Sequence, residues 1–244
     1  MSANRTSASA RRPGRSRRDR HASRRERRRA RERAIVATTR ALFDERGRRD
    51  APVDEIARTA GINKALIYRA FDSKEELFVL TVTDYLADLE ERCARLMDTE
   101  DPADTLRGCL DAYAAFCLEY PAFLDCSLAL MQRPAEELRE LVSGAVWLRL
   151  GRRMATCLGR LEAILERGRE TGAFAIGEEA DFVANRIYAQ ILGTMHLARV
   201  GVGLREAAPG VPQTFELDPN RVRALCVEDA LMLARPTGSA GEGL

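Results

Sequence analysis

The 244 residues are 45% hydrophobic, enough for a packed core, and carry a formal charge of only +2. That small total conceals a split: residues 1–33 hold 14 Arg against Asp19, Glu26 and Glu32, a local +11, and the remaining 25 basic and 34 acidic residues carry −9. A cationic arm on an acidic body suits a polyanionic partner. With no apolar run near the ~20 residues of a membrane span, and no apolar segment following the paired arginines as an export signal requires, the chain is expected in the cytoplasm with no membrane partner.

Residues 1–23 are Arg, Ser, Ala, Pro and Gly without periodicity, the composition of a disordered tail. Helical signal begins near Arg24. Ile35, Thr38, Thr39 and Leu42 share a face, widened by Ala34, Ala41 and Phe43, and Gly47 is a C-terminal stop. A short helix over 53–60 follows Pro52, and a second follows Gly61. Ser73 with Glu76 three residues on predicts a capping box for the next helix, whose stripe runs Leu77, Thr81, Tyr85, Leu89, Cys93, Leu96. Asp101-Pro102 starts a helix carrying Leu106, Leu110, Tyr113 and Cys117, and Pro121 opens a shorter one to Met131. Residues 134–170 read as one long helical stretch that can bend at Gly144 or Gly151. Residues 178–200 and 219–234 complete about nine helices. The Gly- and Pro-rich stretch between those two reads as a loop, and no segment reads as a strand, so the expected fold is all-α.

No Gly-rich phosphate loop is present. The six cysteines show no C-x-x-C spacing and sit in apolar helical stretches, and His21 and His196 are the only histidines. Structural thiols in a reducing compartment are the expectation, with no metal, no cofactor and no catalytic residues.

Residues 53–72, "VDEIARTAGINKALIYRAFD", carry the chemistry. Two helices crossing sharply need a small residue at the contact, supplied by Ala57, and a residue tolerant of positive φ in the turn, supplied by Gly61. Val53, Ile56, Ala60, Ile62, Ile67 and Ala70 anchor the inner side, and Asn63 caps the second helix. This is helix-turn-helix spacing, and it leaves Lys64, Ala65, Tyr68 and Arg69 facing outward, where such a helix meets the major groove.

"RERAIVATTRALFDERG" followed by "VDEIARTAGINKALIYRAFDSKEELF" resembles the N-terminal DNA-binding domain of the TetR family of bacterial transcription regulators over about residues 31–80. The resemblance implies a three-helix helix-turn-helix domain (24–72), a helical effector-binding and dimerisation domain (73–236) and a flexible tail (237–244). It implies a homodimer on double-stranded, palindromic operator DNA, most often a repressor, released by a small-molecule effector. Carried over by position, the DNA-binding set is Asn63, Lys64, Ala65, Tyr68, Arg69 and Lys74, with Tyr68 and Lys74 at phosphates. Two departures stand out. Pro52 lacks the hydroxyl many relatives hold there, and Leu66 replaces a usual Thr.

The Arg-rich arm, through Arg33, adds phosphate neutralisation. A ligand-blind, nucleoid-type DNA-binding protein is the alternative, distinguished by a small specificity ratio. The segment "IYAQILGTMHLA" (187–198) holds no charge, so it needs cover on all sides. With 219–234 it resembles the family's two-helix dimer face, placing Ile191, Gly193, His196, Val222, Leu225 and Cys226 at an interface. Tyr113, Phe116, Phe123, Met131, Trp147, Met154, Tyr188 and Met195 are the candidate effector-pocket residues, suited to an apolar ligand.

Overall fold

The structure, a computed structural model, describes residues 17–96 and 100–234, with side chains from residue 24 onward. Residues 1–16 of the expected arm and the expected tail at 237–244 lie outside the described residues.

α1 runs Arg17–Arg46, so the helix begins seven residues before the expected start and takes in the last part of the expected tail. Arg is a strong helix former, and the helix is held at its other end by Ile35, Val36, Thr39, Leu42 and Phe43, all buried. Ala34 and Ala41 are exposed, and Val36 replaces them on the buried face. α2 (Val53–Thr59) and α3 (Lys64–Ala70) form the expected pair. Ile56, Ala57, Ile67 and Phe71 close on the α1 face.

The turn between α2 and α3 rests on Gly61 at φ +65°. The Ile62 N–H bonds the Ala57 carbonyl at 3.0 Å, and Asn63 Oδ1 accepts the Ala65 N–H at 2.8 Å. A Cβ on Gly61 would meet nothing within 4 Å. Gly61→Ala therefore tests backbone conformation alone. It should cost about 1–2 kcal/mol in chemical denaturation, with Gly61→Asn losing less.

α4 (Lys74–Ala94) runs from these three helices into the remaining ones. There α5 (Pro102–Glu119) and α6 (Pro121–Met131) meet at a 103° bend. α7 (Ala135–Leu141) and α8 (Gly144–Thr171) divide the expected long helix just before Gly144; Gly151 lies inside α8. α9 (Ala180–Val200) and α10 (Pro219–Met232) follow. α4 and α8 pack along each other, α8 packs on α9, and α10 lies across α5 and α9. Tyr85, Leu106, Leu110, Phe116, Phe123, Ile164, Leu165, Ile187 and Ile191 fill the space between them. The fold is all-α in its framework, with ten helices among the described residues. No single described helix is long and apolar enough to cross a membrane.

The expected loop after α9 is instead an antiparallel hairpin, β1 (Val202–Ala208) and β2 (Val211–Glu216), entered at Gly201 and turned at Gly210, both at positive φ. Pro212 argues against a central strand, but both strands of a two-stranded sheet are edges, where Pro is tolerated. Gly203 faces Phe215 across the ladder, and a Cβ there would lie 2.3 Å from the ring. The glycine that reads as loop composition is the space that the Phe215 ring fills.

Two polar nodes tie α4 to α1 and to the α7–α8 joint. Arg40 reaches Asp84 at 2.9 Å and Asp88 at 2.6 Å on α4, and sits over the Tyr85 ring at 4.3 Å. Tyr85 donates to Asp44 Oδ1 at 2.6 Å. At the start of α4, Ser73 Oγ accepts the Glu76 N–H at 3.0 Å and donates to the Leu141 carbonyl at 2.9 Å. The reciprocal half of the expected box is displaced by one residue: Glu76 accepts the N–H of Asp72 at 2.9 Å, and its other oxygen accepts the N–H of Ser143 at 2.7 Å. Glu76 thereby ties α4 to the α7–α8 joint. Burial raises its carboxyl, but the Ser143 hydroxyl, the N–H groups of Asp72 and Ser143 and the charge of Arg28 outweigh that and hold it below the usual range.

Candidate nucleic-acid interface and apolar cavity

α3 presents Lys64, Ala65, Tyr68 and Arg69 to solvent, while Ile67 locks its back to the domain core. Tyr68 is 56% exposed, far more than packing alone leaves an aromatic ring. Leu66 is half-buried. It lines a groove with Arg69 and Ala70 whose other wall is Arg24, Arg25, Arg27, Arg28 and Arg31 of α1. Positions 24, 27/28 and 31 recur on one helical face. These arginines, just beyond the expected tail at 1–23, thus extend the surface of α3 as a helical row. The signal was in the sequence as i, i+3/i+4, i+7 spacing of arginines rather than of apolar residues.

Arg33 falls about 180° around α1 from Arg24 at ~100° per residue. It lines a separate groove with Arg149, Arg152 and Arg153 of α8 and does not join this row. Asn63 is exposed, but its side-chain oxygen is committed to capping α3. Lys74 is exposed at the start of α4, in a shallow groove with Arg49 and Arg133. Pro52 makes no side-chain cap on α2, in keeping with its missing hydroxyl.

Lys64 pairs with Asp54 of α2, Nζ to Oδ1 2.8 Å, and this hydrogen bond raises its pKa. An acid beside the recognition helix both competes for the lysine and repels phosphate. Asp54→Asn should therefore tighten DNA binding by about two- to fivefold and steepen the salt slope by about 0.9 as Lys64 gains a phosphate. A salt titration of a fluorescent duplex reads both.

Residues 35–80 match the family described as bacterial regulatory proteins, tetR family. Over these residues the chain is similar to that family. The chain is 37% identical over 76 residues to the HTH-type transcriptional regulator EthR of Mycobacterium tuberculosis, an alignment covering 31% of this chain and 34% of that one. The chain thus spans about a third of the length of the first curated relatives it matches. The fold over most of the chain is similar to solved structures. RolR in complex with resorcinol has TM-score 0.59 and 19% identity over 89% of this chain and 98% of that one. FadR of Bacillus subtilis in complex with stearoyl-CoA has TM-score 0.56 and 17% identity over 82% and 97%.

An apolar cavity of about 50 Å³ lies between α4, α5, α8 and α9, lined by Leu86, Leu89, Cys93, Leu110, Met154 and Leu161 among others. Of the expected pocket residues, Tyr113, Met154 and Tyr188 line it. Phe116, Phe123 and Met195 are in the core instead, filling the α5–α6–α9 contact. Met131 is half exposed at the end of α6, and Trp147 is half-buried one turn into α8, off the cavity wall. The Tyr113 and Tyr188 rings are parallel, centroids 6.3 Å apart. Tyr113 Oη is buried and has no hydrogen-bond partner among the described residues. Burial raises both phenols, Tyr188 to about 12. Arg160 and Glu90 stand at the rim, 3.4 Å apart. No group of three or more His, Cys, Asp or Glu among the described residues is placed to hold a metal ion.

The expected interface set divides. Ile191, Val222 and Cys226 are buried within the chain's own core, because that face of α9 and α10 packs on α5 and α8. Gly193, His196 and Leu225 are exposed. With them stand Phe182, Leu197 and Val200 on α9 and Met232 on α10. An apolar helix is inner and outer at once, and periodicity alone did not divide its faces.

Proposed function

We propose that the protein is a homodimeric, DNA-binding transcriptional regulator of the repressor type, released from a palindromic operator by a small apolar effector. The observation that carries this reading is the groove between the outward face of α3 and the arginine row of α1. Phosphates on either side of a major groove would meet the row and Tyr68, while Ala65 and Leu66 offer apolar contact to thymine methyls. Arg69 is the candidate for a bidentate contact with guanine.

Dimerisation fits the exposed stripe of Phe182, Gly193 and Leu197 on α9 with Leu225 and Met232 on α10, since a second copy would cover it and supply the two-fold symmetry of paired half-sites. RolR is bound to resorcinol and the Bacillus subtilis FadR to an acyl-CoA. Here the cavity of about 50 Å³ favours a compact ligand over a long acyl chain. Met154, flexible at its thioether, is the residue to move aside, and Tyr113 Oη is the group to bond a hydroxyl or carbonyl of the effector. Binding there would select an arrangement of α4, and so of α3, unsuited to the operator. On this reading the chain works in the cytoplasm, on DNA, without a cofactor or catalysis.

Selection of duplexes from a random library, followed by footprinting, tests it. The expected result is one short palindrome, bound at least ~1,000-fold more tightly than unrelated duplex. Uniform binding to every duplex would instead support the nucleoid-type reading, for which the density of α1 arginines is the specific argument.

A further inference from the structure

Three of the six cysteines meet at the cavity: Cys93 near the end of α4, Cys109 on α5 and Cys157 on α8. Burial pushes up the thiols of Cys117, Cys126 and Cys226, the last to about 11, as suits small core hydrophobes. Burial does the same to Cys157, also to about 11, and its Sγ lies 3.9 Å from the Leu86 carbonyl oxygen.

Cys93 and Cys109 are arranged differently. Their side chains hydrogen-bond each other between α4 and α5. Cys109 Sγ also lies 4.0 Å from the Cys93 carbonyl oxygen. The bond from Cys93 pulls the Cys109 thiol down; burial opposes this and the Arg160 charge assists it. The same bond, together with burial, drives Cys93 up. Both thiols stand at the cavity wall, where a small oxidant can reach them.

We propose that Cys93 and Cys109 form a peroxide-responsive dithiol, oxidised in the cavity to a disulfide that joins α4 to α5. The space of about 50 Å³ is ample for peroxide, since a single water needs only about 10–15 Å³ of such space. The unpartnered Tyr113 hydroxyl offers a hydrogen bond to peroxide oxygen. The Cys109 thiolate attacks one oxygen of hydrogen peroxide: an S–O bond forms, the O–O bond breaks, and the departing hydroxide takes a proton and leaves as water. The Cys93 sulfur then loses its proton and attacks the sulfenic sulfur; the S–S bond forms, the S–O bond breaks, and a second water leaves. Two thiols give up two electrons and one peroxide accepts them.

The S–S bond of about 2.05 Å is far shorter than a hydrogen-bonded thiol contact. Its formation draws the end of α4 onto α5, and α4 begins at Lys74, a short turn after α3. The regulatory consequence, weaker DNA binding by about fivefold or more, rests on the DNA-binding reading above. The linkage itself does not.

The test uses full-length reduced protein treated with hydrogen peroxide, quenched with N-ethylmaleimide and digested without reductant. The expected product is a Cys93–Cys109 linked peptide, with loss of two hydrogens from the intact mass. It should vanish in Cys109→Ser and persist in Cys157→Ser. Cys93→Ser should stop at a Cys109 sulfenic acid that dimedone traps. Affinity for the duplex selected by the reduced protein should fall on oxidation and return with dithiothreitol. Unlinked peptides, or oxidation of Cys117, Cys126 and Cys226 as fast as of the pair, would overturn the proposal. A mapped linkage with unchanged affinity would overturn the switch and leave the dithiol. Failure to select any duplex would overturn the DNA reading, while the mass data still decide the dithiol.

Discussion

Replacing Arg24, Arg25, Arg27, Arg28 and Arg31 together by alanine is expected to flatten the salt dependence of DNA binding by about 4.5 in slope, one increment of ~0.9 per lost phosphate contact. At 0.1 M salt that corresponds to a loss on the order of a thousandfold or more in affinity if all five contacts form. Alanine is the right substitute because it keeps the helix: it is the best helix former, and these side chains are exposed, so little packing is lost. The loss should be nearly the same for the selected operator and for unrelated duplex, since phosphates carry no sequence information. Arg69→Ala should behave differently, lowering operator affinity more than background binding. The comparison set is Arg33, Arg149 and Arg152, which share the other groove, toward α8. Their replacement should leave the slope unchanged. If both sets flatten it equally, charge alone is responsible and the α1 row is not a positioned interface.

That row also shows where the sequence was legible and where it was not. The helix-turn-helix could be read because everything that fixes it is local. Gly61 supplies the positive φ, Asn63 the cap, and Ala57, Ile56, Ile67 and Phe71 the lock, all within some twenty residues. The start of α1 could not, because an arginine-rich segment has no apolar period; its helicity is propagated from the buried Ile35–Phe43 turn cluster. Side chains brought together over long range were also hidden. Aromatic residues on α5 and α6 are visible in the sequence, but which of them face a cavity depends on how four helices cross. Hence Tyr113 and Tyr188 line it, while Phe116 and Phe123 fill the core. The convergence of Cys93, Cys109 and Cys157 has the same cause. The hairpin was missed because Pro212 and the glycines argue for a loop, and only the pairing of Gly203 with Phe215 reveals the reason for the small residue.

Glu76→Ala should lower stability by about 2–4 kcal/mol, or roughly 4–16 °C in Tm for a chain of this length. The carboxylate is buried and accepts two backbone N–H groups from different segments, Asp72 before α4 and Ser143 before α8. Removing it leaves both donors without a partner, a larger penalty than the net value of either bond. Glu76→Gln keeps one acceptor oxygen and should lose about half as much. The pH dependence separates charge from shape. The native pKa of Glu76 lies below its usual value, so its contribution is fully present above about pH 4.5. It is lost as pH falls through the native pKa. The stability gap between wild type and Glu76→Gln should therefore be widest near neutrality and close in acid. Hydrogen exchange gives a local readout, since the Ser143 amide should exchange faster in either variant. The bond also sits where a signal must pass. Ser73 and Glu76 join the start of α4 to Leu141 and Ser143, and the far half of α4 lines the cavity through Leu86, Leu89 and Cys93. On the proposed reading, an α4 held at both ends would transmit a shift at the cavity to α3. Released at Ser143, it should still carry an operator-binding α3, but effector or oxidant should change DNA affinity less than in wild type. Equal responses in wild type and Glu76→Gln would show that the α7–α8 joint stabilises the protein without coupling its two domains.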